Sequence, residues 1–325
     1  MLLAGIAVSL AMWGADRLFA QRSPAGDDIE VLQIRPNFYV IAGAGGNIGV
    51  QIGQDGAVIV DTGSSATSDQ VLAQIEKLTR QPIRYIINTN ADPDHVGGNE
   101  KLSAAGQSVI PTGGLNDIAS AGGRAVIFAE EHVLSRMSAP TGKQAAYPSG
   151  SWPTSSYSSA LGEKQKDVYL NGEPIQVFAQ SAAHTDGDSV VLFRRSDVLL
   201  VGDVLDTTRF PVIDLEKGGS VQGLIDSLNR IIVLAVVPTP LVWQEGGTTV
   251  IPGHGRICDK SDVVDYRDMV TIVRDVVQDM IKRGMTLDQI QKANPTQGYR
   301  KRYGADSGPW TTAMFVEAVY KSLRK

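Results

Sequence analysis

The stretch Tyr85-Ile86-Ile87-Asn88-Thr89-Asn90-Ala91-Asp92-Pro93-Asp94-His95-Val96-Gly97-Gly98-Asn99 decides how the rest of the chain is read. Tyr85 to Thr89 is an apolar, β-branched run of strand type, and the glycines after His95 open a helix. A strand that stops at two carboxylates and a histidine leaves those side chains on a loop at a sheet edge. Imidazole and carboxylate in one place are good ligands for a divalent ion.

The same combination recurs further along. Of the four histidines, His95, His132, His184 and His254, three fall at strand ends beside Gly or Asp. His184 lies in Ala183-His184-Thr185-Asp186-Gly187-Asp188, ahead of the apolar run Val190 to Phe193, and Asp203 follows the run Val198 to Val201. His254 ends Val250-Ile251-Pro252-Gly253-His254-Gly255, and Asp61 sits in Val60-Asp61-Thr62-Gly63. Each segment alone is ordinary, since an Asp beside Gly is usually a turn former. In this order they converge on one sheet edge.

That ordered set resembles the metallo-β-lactamase superfamily, whose His-x-His-x-Asp-His signature is here Asn-x-Asp-x-Asp-His. The resemblance covers nearly all of residues 29 to 325 and implies an αββα sandwich of two mixed β-sheets flanked by helices. It implies that Asp94, His95 and His254 serve a second metal site, that Asp203 bridges to a first site served by His184, and that Asp61 supports the centre from behind. Asp92 and Asn90 stand where the signature has its two leading histidines. A carboxylate is a competent ligand and a neutral amide oxygen a poor one for zinc, so the exchange favours a harder cation at the first site. The resemblance implies one or two divalent ions, Zn²⁺ foremost, with Mn²⁺ or Fe²⁺ at the altered site. A mono-zinc subclass of the β-lactamases also has Asn at the first position, but His where this chain has Asp92.

The chemistry expected of such a centre is hydrolysis. A bound divalent ion lowers the pKa of water toward neutrality and stabilises a developing oxyanion, and Asp94 would orient the water or relay its proton. Cyclic amides, lactones, esters and thioesters are all compatible small-molecule substrates, a β-lactam among them. Two other readings stand beside it: a non-catalytic periplasmic accessory or binding protein with a degraded site, and an iron-dependent redox relative. Trp152, Tyr157, Trp243 and Arg256 are candidates for substrate contact, Arg256 because it follows His254 by two, although Trp and Tyr are more commonly packing residues and an Arg there more commonly a surface ion pair. His132 reads as a polar helix residue.

Composition sets the outer bounds. The chain has 325 residues, 42% apolar and 20% charged, with a formal charge of -5, so it has the composition of a globular protein and no basic footprint for nucleic acid. The single cysteine, Cys258, allows no intramolecular disulfide and reads as a small buried hydrophobe. Leu2 to Ala15 is almost wholly apolar and Leu18-Phe19-Ala20 precedes Gln21. The run is shorter than the ~20 residues that span a bilayer, which predicts a secretory signal and short linker over residues 1–28 rather than a lasting membrane span, and a periplasmic or secreted protein. An uncleaved anchor is the alternative.

Residues 29–325 read as one domain. Strands are expected over Val31 to Ile34, Phe38 to Ile41, Asn47 to Gln51, Ala57 to Val60 and Ser108 to Ile110, with a helix from Asp69 to Leu78. Gly43, Gly45 and Gly46 read as a tight turn, not a phosphate loop, because no Lys-Ser/Thr follows. A helix is expected around Ala125 to Met137 and a long loop from Tyr147 to Ser159. Strands resume from Asp167 to Leu170 and Ile175 to Phe178 around Asn171-Gly172, then at Val190, Val198 and Thr249, with a helix over Val221 to Val236. Beyond His254 the chain turns helical, with Thr286 and Gln289 forming a capping box.

Overall fold

The computed structural model describes residues 29–108, 123–140, 145–158, 165–180, 182–237 and 246–324. The expected secretory segment, Val109, Ile110, Ser159 and Trp243 lie outside the described residues.

Two sheets form. The first has seven strands in chain order: β1 (Glu30–Arg35), β2 (Phe38–Ala44), β3 (Gly46–Gly53), β4 (Gly56–Val60), β5 (Ile83–Ile87), β6 (Val126–Glu130) and β7 (Ser155–Tyr157). β1 to β4 run antiparallel as a meander, and β4 to β7 run parallel. The second contains β8 (Gln165–Leu170), β9 (Glu173–Gln180), β10 (Asp188–Phe193), β11 (Val198–Leu200) and β12 (Thr249–Ile251) in the order β12-β11-β10-β9-β8, with only β11 and β12 parallel. The β8–β9 hairpin turns at Asn171 and Gly172, both left-handed, as a two-residue turn demands.

Alternation along the strands sorts side chains into layers. Val58, Val60, Tyr85 and Ile87 of the first sheet meet Val177, Val191, Phe193, Val198 and Leu200 of the second in the central core. Ile59 and Ile86 point the other way, onto Val71 and Ile75 of α1 (Ser68–Leu78) and, beyond the short α2 (Pro93–Val96), Leu102 of α3 (Asn99–Ala104). On the far side Val190, Leu192 and Leu199 pack against α5 (Val221–Leu234), α6 (Lys260–Lys282), α7 (Leu287–Ala293) and α9 (Thr312–Ser322). The result is the expected αββα sandwich. Burying each such aliphatic side chain contributes roughly 1.5–3 kcal/mol. The capping box expected at Thr286 and Gln289 opens α7. Among the described residues no helix is long and apolar enough to cross a membrane.

Two expectations need correction. The helix expected around Ala125 to Met137 is a strand, β6, followed by α4 (Glu131–Ser138). Ile127 and Phe128 pair in parallel with Ile86 and Ile87, and this tertiary pairing overrides the local helical pattern. The expected Tyr147–Ser159 loop contains the edge strand β7, which pairs with β6 from Phe128 to Glu130.

Candidate metal centre

The candidate residues arrive at one sheet edge because their strands run parallel and stop together. Asp61 follows β4, Asn90 to His95 follow β5, Asp203 follows β11 and His254 follows β12. Ligand clefts of α/β proteins form at such carboxyl ends. Asp92 is the residue before α2 and Pro93 occupies its first turn, where a missing N–H costs nothing. α2 therefore starts at once and sets Asp94 and His95 in its single turn. A triangle of buried amides and hydroxyl fixes this corner: Thr62 Oγ1 and Asn88 Nδ2 both donate to Asn99 Oδ1, at 3.0 and 3.1 Å.

Close backbone approach needs glycine here. A Cβ on Gly45, which is left-handed at φ +110, would stand 2.9 Å from Asp94 Cβ, and one on Gly46 would stand 3.0 Å from His95 Cε1. Gly43 to Gly46 thus form the turn expected from the sequence, and that turn packs onto the motif. A Cβ on Gly253 would fall on Asp203 Oδ1.

One half of the cluster is built on His95. Its Nδ1 lies 2.8 Å from Asp61 Oδ2, and Asp61 also accepts from Thr89 N at 2.8 Å and Thr89 Oγ1 at 2.6 Å. Asp61 is held in the left-handed region at φ 60 to make these bonds, a conformation that costs of order 1 kcal/mol and persists where the surroundings enforce it. With Nδ1 hydrogen-bonded to Asp61, His95 turns Nε2 toward Asp203 Oδ1, 3.2 Å away. His254 Nε2 lies 3.4 Å from the same oxygen and 3.3 Å from Asp94 Oδ2. The two imidazoles meet edge to face, with centroids 5.6 Å apart. His95 Nε2 and Asp203 Oδ1 are both buried and have no hydrogen-bond partner. A buried imidazole nitrogen facing a buried carboxylate oxygen calls for a cation between them, a proton or a metal ion, so this donor set fits a divalent ion.

The electrostatics agree. Burial opposes charge on His95, but Asp203 and Asp61 outweigh it and push its pKa well above the ordinary histidine value. Burial likewise opposes charge on Asp203, but His95, His184 and His254 hold its carboxyl far below the usual range. His254 is raised, with burial outweighed by its hydrogen bond to Asp94 and by Asp203. Each imidazole is surrounded by negative charge that favours a proton or a metal ion at the same nitrogen.

The other half differs. His184 has Nδ1 3.3 Å from Asp188 Oδ1 and Nε2 3.6 Å from Asp92 Oδ2. Despite burial, Asp188 lifts its pKa to about 9. Ligand-type atoms of Asp92, His184 and Asp203 all lie within 4.8 Å of one another. Asn90 is engaged at both ends of its amide: its Oδ1 accepts from Asp92 N at 2.8 Å and its Nδ2 donates to Asp203 Oδ2 at 3.2 Å. Lys217 Nζ lies 2.9 Å from Asp92 Oδ1 and 3.2 Å from Asp214 Oδ2.

Sequence reasoning therefore assembled Asp61, Asn90, Asp92, Asp94, His95, His184, Asp203 and His254 in one place, and it missed Asp188, Thr89 and Lys217. Asp188 was legible as a carboxylate four residues after His184. Lys217 carried no signal beyond Gly218-Gly219, since a lysine in an acidic turn normally points to solvent. Three of the four substrate-contact candidates lie among the described residues. Tyr157 is 8% exposed in the central core with its hydroxyl 2.6 Å from Ser189 Oγ. Trp152 packs beside Val133 and Met137 and donates to Tyr147 O at 2.9 Å. Arg256 commits its guanidinium to both oxygens of Asp262 at the start of α6. Each of these three has a packing or pairing role that accounts for it. His132 lies on α4 with its ring against Glu130, and Cys258 is buried, its thiol pushed up to about 12 by desolvation.

A family model described as the metallo-beta-lactamase superfamily matches residues 42–237. Among solved structures, a metallo-beta-lactamase from Pontibacter korlensis aligns with a TM-score of 0.54 at 15% identity, covering 75% of this chain and 99% of that one. The DIM-1 metallo-beta-lactamase aligns at 0.51 and 18% identity, covering 75% of this chain and 97% of its own. The stereoselective inverting sec-alkylsulfatase Pisa1 from Pseudomonas sp. aligns at 0.61 and 14% identity over 90% of this chain, which spans 50% of the alkylsulfatase. No curated protein sequence gives a significant match. Identities this low speak for the fold.

Proposed function

The chain belongs to the metallo-beta-lactamase superfamily, and from that premise we propose that it is an exported metal-dependent hydrolase acting on a small molecule with an activated carbonyl: a cyclic amide, lactone, ester or thioester. The observation that carries this reading is the buried, unpartnered pair His95 Nε2 and Asp203 Oδ1, with His254 Nε2 turned to the same oxygen. Asp94, His95, His254 and Asp203 would hold the ion, zinc being the family's usual choice. When bound, the ion supplies Lewis acidity and a water acidic enough to act as nucleophile near neutral pH.

The chain's own residues do the rest. Asp61, hydrogen-bonded to His95 Nδ1, orients the ring so that Nε2 faces the ion's place and raises its basicity, which is how ligating histidines are generally supported. Asp94 has the most open carboxylate of the group, with its side chain 39% exposed against 12% for Asp203. It is the acceptor within reach of solvent and the group we assign to orient water and take its proton. Asn90 steadies Asp203 through the amide N–H, so that carboxylate would keep one orientation as charge develops. The fold's solved relatives include lactamases and an alkylsulfatase, so the scaffold alone selects no bond. Export rests on the apolar run Leu2 to Ala15 followed by Leu18-Phe19-Ala20.

The test is direct. The full chain is supplied with zinc, manganese or iron and assayed on a chromogenic cephalosporin, a lactone, an ester and a thioester. Turnover of one of these that is lost with a chelator supports the hydrolase. Bound metal with no turnover on any would favour an accessory or binding protein instead.

A further inference from the structure

We infer that Lys217 takes the place of a first metal ion, so that this centre holds a single divalent ion and its first site is occupied by a resident ammonium group. The inference rests on the metal-centre reading above.

Lys217 is built into its position. Its backbone N–H donates to Asp214 Oδ1 at 3.0 Å. Its carbonyl accepts from Asp186 N at 2.9 Å and from Arg136 Nη2 at 3.0 Å, and Arg136 is itself paired with Asp186. The turn hangs on the His184 backbone: Asp214 N donates to His184 O at 2.9 Å, and Gly219 passes so close to that carbonyl that it has no room for a Cβ. Lys217 therefore moves with His184, the one histidine left on this side of the cluster. Its side chain is 25% exposed and ends between Asp92 Oδ1 and Asp214 Oδ2.

Three consequences follow for the first site. Asp92, which stands where the family signature has a histidine, is already neutralised by a cation that the chain supplies. A divalent ion ligated by Asp92 would lie against that ammonium, and like charges sharing one carboxylate repel. Asn90 offers no compensating ligand, because its oxygen accepts from Asp92 N and its NH₂ faces Asp203. Lys217, Asp92 and Asn90 thus form one arrangement that supplies positive charge beside Asp203 and His184 without a second ion. Lys217 acts through Asp92, as a positioning residue.

Zinc titration of the full chain, followed by elemental analysis of zinc per chain, tests this without reference to activity. The wild type is expected to hold one zinc in excess metal. Lys217→Met, which keeps the stem and removes the charge, is expected to show a second binding event. Asp92→Asn is expected to retain one zinc at unchanged affinity, and this conservative variant carries the test if Lys217→Met does not fold. Two zinc ions on the wild type, a single zinc on folded Lys217→Met, or loss of zinc in Asp92→Asn would each overturn the inference. No zinc on any form would overturn the metal-centre reading beneath it.

Discussion

His95 Nε2 and Asp203 Oδ1 face each other across 3.2 Å, both buried and neither hydrogen-bonded. His95 reaches that place from a single helical turn after β5, and Asp203 from the end of β11 in the other sheet. The contact between them therefore joins the two sheets at the edge where their parallel strands stop. Its cost without a cation makes the centre a place where metal and stability are linked.

Asp61 should matter to the ion although its carboxylate lies behind His95. Asp61→Asn keeps the shape but removes the charged acceptor for His95 Nδ1. Zinc affinity should fall by about 10–100-fold, the usual effect of losing such a partner, with the far-ultraviolet circular dichroism unchanged. An unaltered zinc dissociation constant would show that the Asp61–His95 contact is structural only.

Gly253→Ala probes the same centre through the backbone. The added Cβ would fall on Asp203 Oδ1 and within 2.9 Å of the Gly202 carbonyl oxygen. Relief requires both to move, so a loss of about 1–3 kcal/mol in urea unfolding is expected, together with weakened zinc binding. A variant as stable as the wild type, with full zinc affinity, would contradict the packing described.

The metal-free protein should lose stability as pH rises. His184 is held at about 9 in the fold, because Asp188, Asp203 and Asp92 outweigh burial, while an unfolded histidine titrates near 6.5. A raised folded-state pKa contributes stability that is fully present below about pH 6.5 and is lost as the pH rises through about 9. The urea midpoint of chelator-treated protein should therefore be lower at pH 9 than at pH 6.5. Zinc affinity should rise with pH, since the ion competes with protons on His95 and His254, both raised above the ordinary histidine value. A flat urea midpoint would refute the charge assignment.

Tyr157→Phe distinguishes core from substrate contact. Removing the hydroxyl bonded to Ser189 should cost about 1 kcal/mol and leave KM unchanged on whichever ester or lactam is turned over. A raised KM with unchanged stability would return Tyr157 to the substrate site.

Much of the fold was legible because the chain's punctuation is strong. Val58 to Val60 and Val190 to Phe193 alternate between core faces, and Asn171-Gly172 marks its hairpin without ambiguity. β6 was not legible. Val126 to Glu130 runs straight into α4, and only pairing with β5, distant in sequence, makes it a strand. The candidate site was legible where ligand-type residues end strands, as with His95, Asp203 and His254. Lys217 was hidden because its partner Asp92 is 125 positions away, and nothing local distinguishes it from a solvated turn lysine.

A crystal of the full chain grown with zinc and measured at the zinc absorption edge tests whether His95, His254, Asp94 and Asp203 hold an ion. One anomalous peak per chain is expected, bounded by His95 Nε2, His254 Nε2, Asp94 and Asp203 Oδ1, with Lys217 Nζ still on Asp92. The absence of any peak among these four residues in excess zinc would contradict the metal-centre reading.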